Sequence, residues 1–452
     1  MNRTAPFVRR RRIVLGALIV VVMGATLAAR PSGAENTTAA ARTSSKTAAL
    51  LAESAKAEAS KAVTRKAEAA QADARRAEAL RAQALKAEAA SRSKAAAAQG
   101  SAASSSPQGG LPPADQTVFV RRQRITGHLS PKSVVASPTG LVTAQNMMYT
   151  HTISVFTPDG KLRDTVEDSV DLSVFGIDGH PGISRGAPVE AAFTHDGKHV
   201  YVSNYSMYGK NFGPEGLDSC SPASAPDKSY LYRIDTATLK IDQVIPVGAV
   251  PKFVAVTPDD STVLVTNWCS WTMSVVSVKA ASLVATIPIG GAYPRGIAVT
   301  ADSTTAFVAV MGSQRIVKVD LASKQVSTFA RTGDGPRHIV ISPDGRYLYV
   351  TNNTSGTVSK VDAASGTVLK TVSTGNQPRS MAISSDGLAV YVVNYESSTV
   401  SKLRAADLKQ ISRTATDFHP IGIAYEPTTG SVWVACYGGS IMVFDDSKLA
   451  KV

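Results

Sequence analysis

The chain has 452 residues, a formal net charge of +13 at pH 7 and only three cysteines. The charge is unevenly distributed: residues 1–115 contain 18 Lys and Arg against 8 Asp and Glu, whereas residues 116–452 contain 30 against 27. A domain that binds a nucleic-acid backbone should itself be basic, so the nearly neutral C-terminal region is not expected to bind nucleic acid.

The first 34 residues resemble an export segment. The arginines at 9–12 precede an uncharged, mostly apolar run from Ile13 to Ala29, and Ser32-Gly33-Ala34 is a small-x-small cleavage motif. Because the apolar run also reaches the short limit of a membrane span, residues 1–34 are predicted to be either a signal peptide or an N-terminal membrane anchor. Either fate places the rest of the chain outside the cytoplasm, secreted or in the cell envelope.

Residues 35–46 form a Thr/Ser/Ala linker, and residues 47–99 are Ala-rich with Lys, Arg and Glu but contain no Gly or Pro. This composition predicts a helical stalk. An Ala-Glu-Ala triplet recurs every ten residues, a period that gives no continuous seam. A solvated single helix and a monomeric head are therefore favoured over a coiled-coil oligomer, with a mobile low-complexity segment as a third alternative. Residues 100–116 form a Gly/Ser/Pro-rich linker.

From residue 117 onward, one unit of about 42 residues repeats. Its clearest copy, from Gly335 to Gly375, holds four runs of β-branched and aromatic residues separated by turn formers, which predicts a four-stranded antiparallel meander. Seven prolines open the copies, at steps of 43, 42, 42 and 42 residues from the third onward: Pro131, Pro188, Pro251, Pro294, Pro336, Pro378 and Pro420. Seven such units predict an all-β, seven-bladed β-propeller over residues 117–452.

The tags YVTN and SPDG, varied as VYVSN, VLVTN and VYVVN, resemble those of the YVTN-repeat (surface-layer-like) β-propeller family. The resemblance implies a rigid disc and, as the favoured function, an exported binding or recognition module. Two other classes stay open: a metal-dependent propeller enzyme, lactonase- or lyase-like, and a structural envelope protein without a small ligand. An enzyme is disfavoured because the sequence has no helical HExxH, no GxSxG and no CxxC motif.

The last repeat supplies only three confident strands after Pro420, whereas residues 117–125 (TVFVRRQRI) resemble an outer strand without a blade. We predict that this N-terminal strand pairs with blade seven and closes the ring. Closure would remove a sheet edge that otherwise invites aggregation.

Every departure from the regular repeat falls in a loop that leads into the first strand of a blade or joins its second and third strands. The three departures span residues 171–186, 205–228 and 268–271. In the resembled family these loops share one face of the disc, and insertions on a rigid scaffold commonly carry binding sites. Their aromatic residues suit a cell-envelope carbohydrate, peptide or protein ligand: Tyr205, Tyr208, Phe212, Trp268 and Trp271.

Cys220 and Cys269 lie in two of these loops and are predicted to be neighbours. In an exported protein such a pair favours a disulfide, the alternative being two free thiols too far apart to bond. Cys436 replaces the Asn of the YVTN tag and is predicted to be a small buried thiol.

The residue after each opening proline is basic in five of seven repeats: Lys132, Lys252, Arg295, Arg337 and Arg379. These residues are expected near the axis, either as a ring that holds an anion or as ties to neighbouring carbonyls and aspartates. Weaker candidates for a divalent-cation site are Asp178, His180, Glu215 and Asp218. No CxxCH haem-attachment motif occurs, and the sequence predicts no cofactor.

Overall fold

The computed structural model describes residues 111–215, 218–224 and 226–450. The predicted export segment, the 35–46 linker and the helical stalk lie outside these residues. Within the described part, no helix combines the length and apolar character needed to span a bilayer. This part is an all-β propeller in which seven antiparallel sheets form the blades.

The strands run in chain order, and β1 precedes the first blade. Strand β1 (Thr117–Thr126) belongs to blade seven. Blades one and two comprise β2 (Ser133–Ala136), β3 (Val142–Asn146), β4 (Thr152–Phe156), β5 (Leu162–Glu167), β6 (Ser169–Asp171), β7 (Ile183–Phe193), β8 (His199–Tyr208), β9 (Tyr230–Asp235) and β10 (Lys240–Pro246). Blades three and four comprise β11 (Pro251–Val256), β12 (Thr262–Asn267), β13 (Thr272–Ser277), β14 (Ser282–Pro288), β15 (Pro294–Val299), β16 (Thr305–Val310), β17 (Arg315–Asp320) and β18 (Val326–Ala330).

The last three blades are the most regular. They comprise β19 (Pro336–Ile341), β20 (Tyr347–Asn352), β21 (Thr357–Asp362), β22 (Val368–Ser373), β23 (Pro378–Ile383), β24 (Ala389–Asn394), β25 (Thr399–Arg404), β26 (Gln410–Ala415), β27 (Pro420–Glu426), β28 (Ser431–Cys436) and β29 (Ser440–Leu449). Short 3-10 helices span Ala114–Gln116, Leu172–Phe175, Pro222–Ser224 and Met311–Ser313. We call the four strands of a blade A to D, from the axis outward.

Blade five shows why the repeat folds this way. Its strand B, β20, is buried at every position but the first, whereas its strand D, β22, is mostly exposed at the rim. A strand that packs on neighbouring blades with both faces needs a continuous apolar run, which YLYVTN supplies. The SPDG turn before it is fixed by Asp344, whose Oδ1 accepts hydrogen bonds from the Ser342 hydroxyl at 2.5 Å and the Arg346 amide at 3.1 Å.

The Asn that ends strand B ties it to strand C. In blade five, Asn352 Nδ2 donates to Thr357 Oγ1 at 3.0 Å and to Ser359 Oγ at 2.9 Å. The corresponding asparagines of blades one, three and six each donate to two hydroxyls in the same way: Asn146, Asn267 and Asn394. These residues are therefore structural.

Blade seven has the strand order β1-β29-β28-β27, with β1 antiparallel to β29. A lysine from blade six holds the first and last strands of the propeller together: Lys402 Nζ donates to Thr117 O at 2.9 Å and to Asp446 Oδ1 at 2.6 Å. Asp446 also accepts a hydrogen bond from the Tyr391 hydroxyl. Because the side chains of Lys402 and Asp446 are fully buried, this charged network locks the N-terminal strand into the ring.

Blade two rises above the regular disc. Its strands β7 and β8 have 11 and 10 residues, and β6 adds a fifth strand by pairing with the start of β7. The expected disulfide is present, joining Cys220 of the blade-two insertion to Cys269 of blade three with a Cα–Cα distance of 5.3 Å. Trp268 Nε1 reinforces it by donating to Asp218 O at 2.8 Å. The insertion is thus pinned over blade three.

Candidate functional site

Strand A starts at the face of the disc that carries the insertions. The proline that opens it pairs with the Asn that ends strand B, as in Pro336 with Asn352 and Pro378 with Asn394. The D–A loops and the B–C loops therefore share this side, which we call the insertion face. In blade five the ladder shifts register directly after the proline, so Arg337 occupies a β-bulge at the mouth of the axial channel.

The residues that follow the opening prolines form one charged cluster, which we call the basic ring: Lys132, Lys252, Arg295, Arg337 and Arg379. Three of its members are nearly buried, with exposed fractions of 4% for Lys252, 5% for Arg295 and 7% for Arg337. Burial, followed by the positive charges of the other four members, holds the pKa of Lys132 well below its usual range. The five side chains therefore lie close enough to repel one another.

Two members of the basic ring have carboxylate partners. Lys252 Nζ lies 3.2 Å from Asp218 Oδ1, and Arg295 Nη2 lies 3.6 Å from Glu190 Oε1. Burial lowers the pKa of Lys252 to about 7 although Asp218 opposes the shift. Burial likewise raises the pKa of Glu190 against the opposing charge of Arg295. Both pairs lie on the side of blades two to four.

The other three members have no carboxylate within 4 Å among the described residues: Lys132, Arg337 and Arg379. The buried Nε of Arg337 has no hydrogen-bond partner there either. Arg379 Nη2 donates to Gln377 Oε1 at 3.3 Å, but its buried Nε is also unpartnered. An unpaired buried cation is strongly destabilising, and the charges of Lys132, Arg337 and Arg379 have no carboxylate to balance them among the described residues.

A second layer of side chains lies over the basic ring. It is formed by the residue that follows the Asn of the YVTN tag, or the residue that replaces this Asn, in each blade: Met147, Tyr205, Trp268, Met311, Asn353, Tyr395 and Tyr437. The Lys132 ammonium lies 5.6 Å from the ring centroid of Tyr437, and the Arg379 guanidinium lies 3.4 Å from that of Tyr395. Such contacts stabilise partly desolvated cations.

Sequence reasoning missed Tyr395 and Tyr437 because it looked for function only where the repeat is irregular. The signal was nevertheless present: an aromatic or methionine follows the Asn position of the YVTN tag in six of seven repeats. Both tyrosines lie in the regular part of the ring, beside the unpaired cations.

The predicted aromatic residues of the insertions mostly pack against other side chains of the insertion face. Tyr205 is buried and donates to Asp218 Oδ1 at 3.0 Å, and Trp268 stacks on Tyr293 with centroids 4.5 Å apart. Trp271 meets the same Tyr293 edge-on. These rings stabilise the insertion face by packing, and they are not left exposed as a flat surface on which a ligand could bind.

The remaining two insertion aromatics each contact a histidine. Phe212 stacks on His180 with centroids 3.8 Å apart, and Tyr208 meets His151 edge-on at 5.3 Å. All five predicted aromatic residues lie on the insertion face. They pack against other side chains there and do not form an open binding surface.

The weak metal candidates are not arranged as a ligand set. Asp218 is taken up by Lys252 and Tyr205, and His180 Nδ1 lies 3.2 Å from Lys210 O. Asp178 and Glu215 are exposed. Among the described residues, no group of three or more His, Cys, Asp or Glu side chains could hold a metal ion.

Beyond the basic ring the channel widens into a cavity of about 520 Å³ whose lining includes Ser133, Glu190, Phe253, His338 and Ser380. His338 Nδ1 accepts a hydrogen bond from the Met381 amide at 3.3 Å. Burial and the charges of the two nearest arginines lower the pKa of His338 to about 3, so the imidazole is neutral and carries its proton on Nε2.

Comparisons with known proteins bear mainly on the fold. Residues 307–421, about a quarter of the chain, match the sequence model of the family described as "Cytochrome D1 heme domain". Among solved structures, hydrazine synthase from Kuenenia stuttgartiensis is 18% identical with a TM-score of 0.55, over 70% of this chain and 96% of that one. No curated protein matches. The seven-bladed propeller is thereby supported, and the YVTN-repeat resemblance stays a prediction.

The family match overturns one expectation. The matched family is described by its haem, which contradicts the prediction that the protein has no cofactor. The insertion face does contain a suitable donor, because His151 Nδ1 lies 2.8 Å from Gly186 O and, as its donor, leaves Nε2 with a free lone pair. Haem carboxylates would find counter-charges in the basic ring. His151 and the basic ring therefore supply the types of side chain that hold a haem iron and its carboxylates.

Proposed function

We propose that the propeller is a binding module that captures an anionic ligand at the channel mouth on its insertion face. The observation that carries this proposal is Arg337, which is only 7% exposed and has a buried Nε without a partner among the described residues. An arginine held in this state by a rigid strand is preorganised for a charge-assisted hydrogen bond.

The blade-two insertion determines on which side of the channel mouth the ligand binds. It carries Asp218, which neutralises Lys252, and the Cys220–Cys269 disulfide holds that loop over blade three. Positive charge consequently remains unbalanced on the opposite side of the mouth, at Arg337 and Arg379 in blades five and six and Lys132 in blade one.

Calorimetric titration with inorganic phosphate at low ionic strength tests this function. We expect binding by the native chain and a loss of at least about tenfold in Arg337→Gln, since a lost charge-assisted bond costs more than 1.4 kcal/mol. Arg346→Gln is the matched control, because Arg346 lies in the same blade but is exposed at the opposite face. Equal phosphate affinity in the native chain and Arg337→Gln would contradict the proposal.

A second candidate ligand is haem, favoured by the family match and by the free Nε2 of His151. Haem would supply an iron centre able to bind small molecules or transfer electrons. In this proposal His151 would supply a ligand to the iron through Nε2, and the basic ring would hold the haem carboxylates.

Absorption titration with hemin tests the second candidate. We expect a shifted Soret band with the native chain and at least about tenfold weaker binding in His151→Ala, because the iron would lose its protein ligand. His195→Ala is the control, since His195 pairs with Asp260 on a turn at the opposite face. A hemin spectrum unchanged by the native chain would exclude this candidate.

The location of the protein is part of the proposal. Because residues 1–34 resemble an export segment, we propose that the module works outside the cytoplasm, displayed from the envelope or secreted. Immunoblotting of cell fractions checks this, and accumulation of the full-length chain in the cytosolic fraction would contradict it.

A further inference from the structure

We infer that the ligand is a small organic anion with two or more carboxylates, held by Lys132, Arg337 and Arg379 under Tyr395 and Tyr437. This inference rests on the proposed anion-binding function and specifies its ligand. The site it names is opposite the insertion, in the regular part of the ring.

The first argument is the charge of the mouth. Of the five cations of the basic ring, only Lys252 and Arg295 have a carboxylate within 4 Å among the described residues. Three positive groups remain without a counter-charge, and two of them have buried nitrogen atoms with no hydrogen-bond partner there. A monoanion would leave at least two of the three uncompensated, whereas a dicarboxylate or tricarboxylate can satisfy them together.

The second argument is the orientation of Arg379. Its guanidinium lies 3.4 Å from the centroid of Tyr395, and Tyr395 stacks in turn on His419 with centroids 4.0 Å apart. With one face of the guanidinium covered by a ring, its N–H groups are free only along the edge. Edge donation is the geometry in which arginine binds carboxylates, often with two parallel hydrogen bonds.

The third argument is the fixed position of Tyr437, which lies over Lys132. Its hydroxyl lies 3.0 Å from Met148 Sδ, and its ring meets that of Tyr395 nearly edge-on at 6.5 Å. The two tyrosines therefore line the same side of the mouth as the unpaired cations. Rigid aromatic walls beside fixed donors favour one ligand geometry.

The fourth argument is the narrowness of the channel. A Cβ at Gly296 would lie 2.9 Å from His338 Cα, and one at Gly422 would lie 2.7 Å from Ser133 Cα. Neighbouring A strands thus approach each other with backbone contacts at the axis, and apolar Val189 and Ile421 fill the two other positions of the ring. A ligand that reaches all three cations must be small.

The experiment compares acetate, malonate and tricarballylate, which carry one, two and three carboxylates, by calorimetric titration at pH 7 and constant ionic strength. We expect affinity for the native chain to rise at least tenfold with each added carboxylate. Arg337→Gln and Arg379→Gln should each flatten this rise, and Lys132→Gln, at a less buried position, provides a variant whose folding is less at risk. Arg346→Gln should keep the native profile.

The outcomes separate this inference from the proposed function. Phosphate binding that depends on Arg337 together with acetate affinity within twofold of tricarballylate affinity would overturn the inference and leave the proposed function standing. Charge-dependent affinity that persists in all three ring variants would place the anion elsewhere and overturn both. Circular dichroism and thermal unfolding of each variant establish that a loss of binding is not a loss of fold.

Discussion

The same lysine position has three different environments in consecutive blades. Lys318, Lys360 and Lys402 are 42 residues apart on strand C. Lys318 is exposed, Lys360 Nζ donates to Ala405 O at 3.1 Å, and Lys402 is fully buried against Asp446. The position therefore contributes to stability only where a neighbouring blade supplies acceptors.

Replacing Lys402 should strongly destabilise the propeller. Lys402→Met leaves Asp446 buried without its counter-charge, and we expect a loss of roughly 3–5 kcal/mol in the free energy of unfolding. Lys318→Met is the matched control and should change it by less than about 0.5 kcal/mol. Denaturant titration measures both, and comparable losses in the two variants would refute the assignment.

Asp168 makes stability depend on pH. Its side chain is fully buried, and burial raises its pKa to about 7 although the Gly186 amide donates to its Oδ1 at 3.0 Å. Because the folded-state pKa exceeds that of the unfolded chain, the folded state binds the extra proton. Its stabilising contribution is complete below about pH 4 and is lost as the pH rises through about 7.

Asp168→Asn should remove this component of the pH dependence. The amide is neutral throughout, so this position no longer titrates in the folded chain. We expect the free energy of unfolding of the native chain to fall by a few kcal/mol relative to the variant between pH 4 and 7. Parallel stability curves for the two proteins would show that Asp168 is ionised in the fold.

At the scale of elements, β1 closes the ring. It covers the edge of β29 and supplies the Thr117 carbonyl that receives Lys402. Deleting residues 117–125 should lower the melting temperature of the whole head and promote association through the exposed edge. Deleting nine residues of the 35–46 linker is a length-matched control expected to be neutral. Thermal unfolding with size-exclusion chromatography measures both effects, and an unchanged, monodisperse deletion variant would contradict the role of β1.

The disulfide tethers the insertion rather than the ring. Cys220 and Cys269 are 49 residues apart, and a crosslink of that separation contributes roughly 2–4 kcal/mol. Cys220→Ser with Cys269→Ser should lose about that much unfolding free energy and expose residues 205–228 to proteases. Cys436→Ala should leave the insertion protected. Limited proteolysis with mass spectrometry distinguishes the variants, and an equally protected insertion in the double variant would refute the tether.

At the scale of the whole molecule, the channel mouth should couple anion binding to proton uptake. Burial and neighbouring cations depress the pKa of Lys132, and burial lowers that of Lys252 to about 7. The basic ring of the free protein is therefore incompletely protonated at neutral pH. A bound anion raises both pKa values. The groups acting on Lys132 are Lys252, Arg295, Arg337, Arg379, Glu190, Asp218 and Tyr437.

Calorimetry in buffers of different ionisation enthalpy measures this uptake. We expect tricarballylate binding at pH 7 to take up a fraction of a proton and the uptake by Lys252 to disappear as the pH falls well below 7, where Lys252 is already charged. A binding enthalpy independent of the buffer at pH 7 would mean that the ring is fully protonated in the free protein.

The sequence by itself determined the seven blades, the position of the basic ring and the neighbourhood of Cys220 and Cys269. These features follow from local rules, because strand periodicity, turn residues and a 42-residue repeat place equivalent residues at equivalent sites. Only the tertiary structure decided which cations stay unpaired. Asp218 reaches Lys252 across 34 residues and Glu190 reaches Arg295 across two blades, and such contacts depend on how loops fold back over the disc. The repeat places the basic residues at equivalent positions in the blades. The long-range contacts of the folded chain leave Lys132, Arg337 and Arg379 without a carboxylate partner among the described residues.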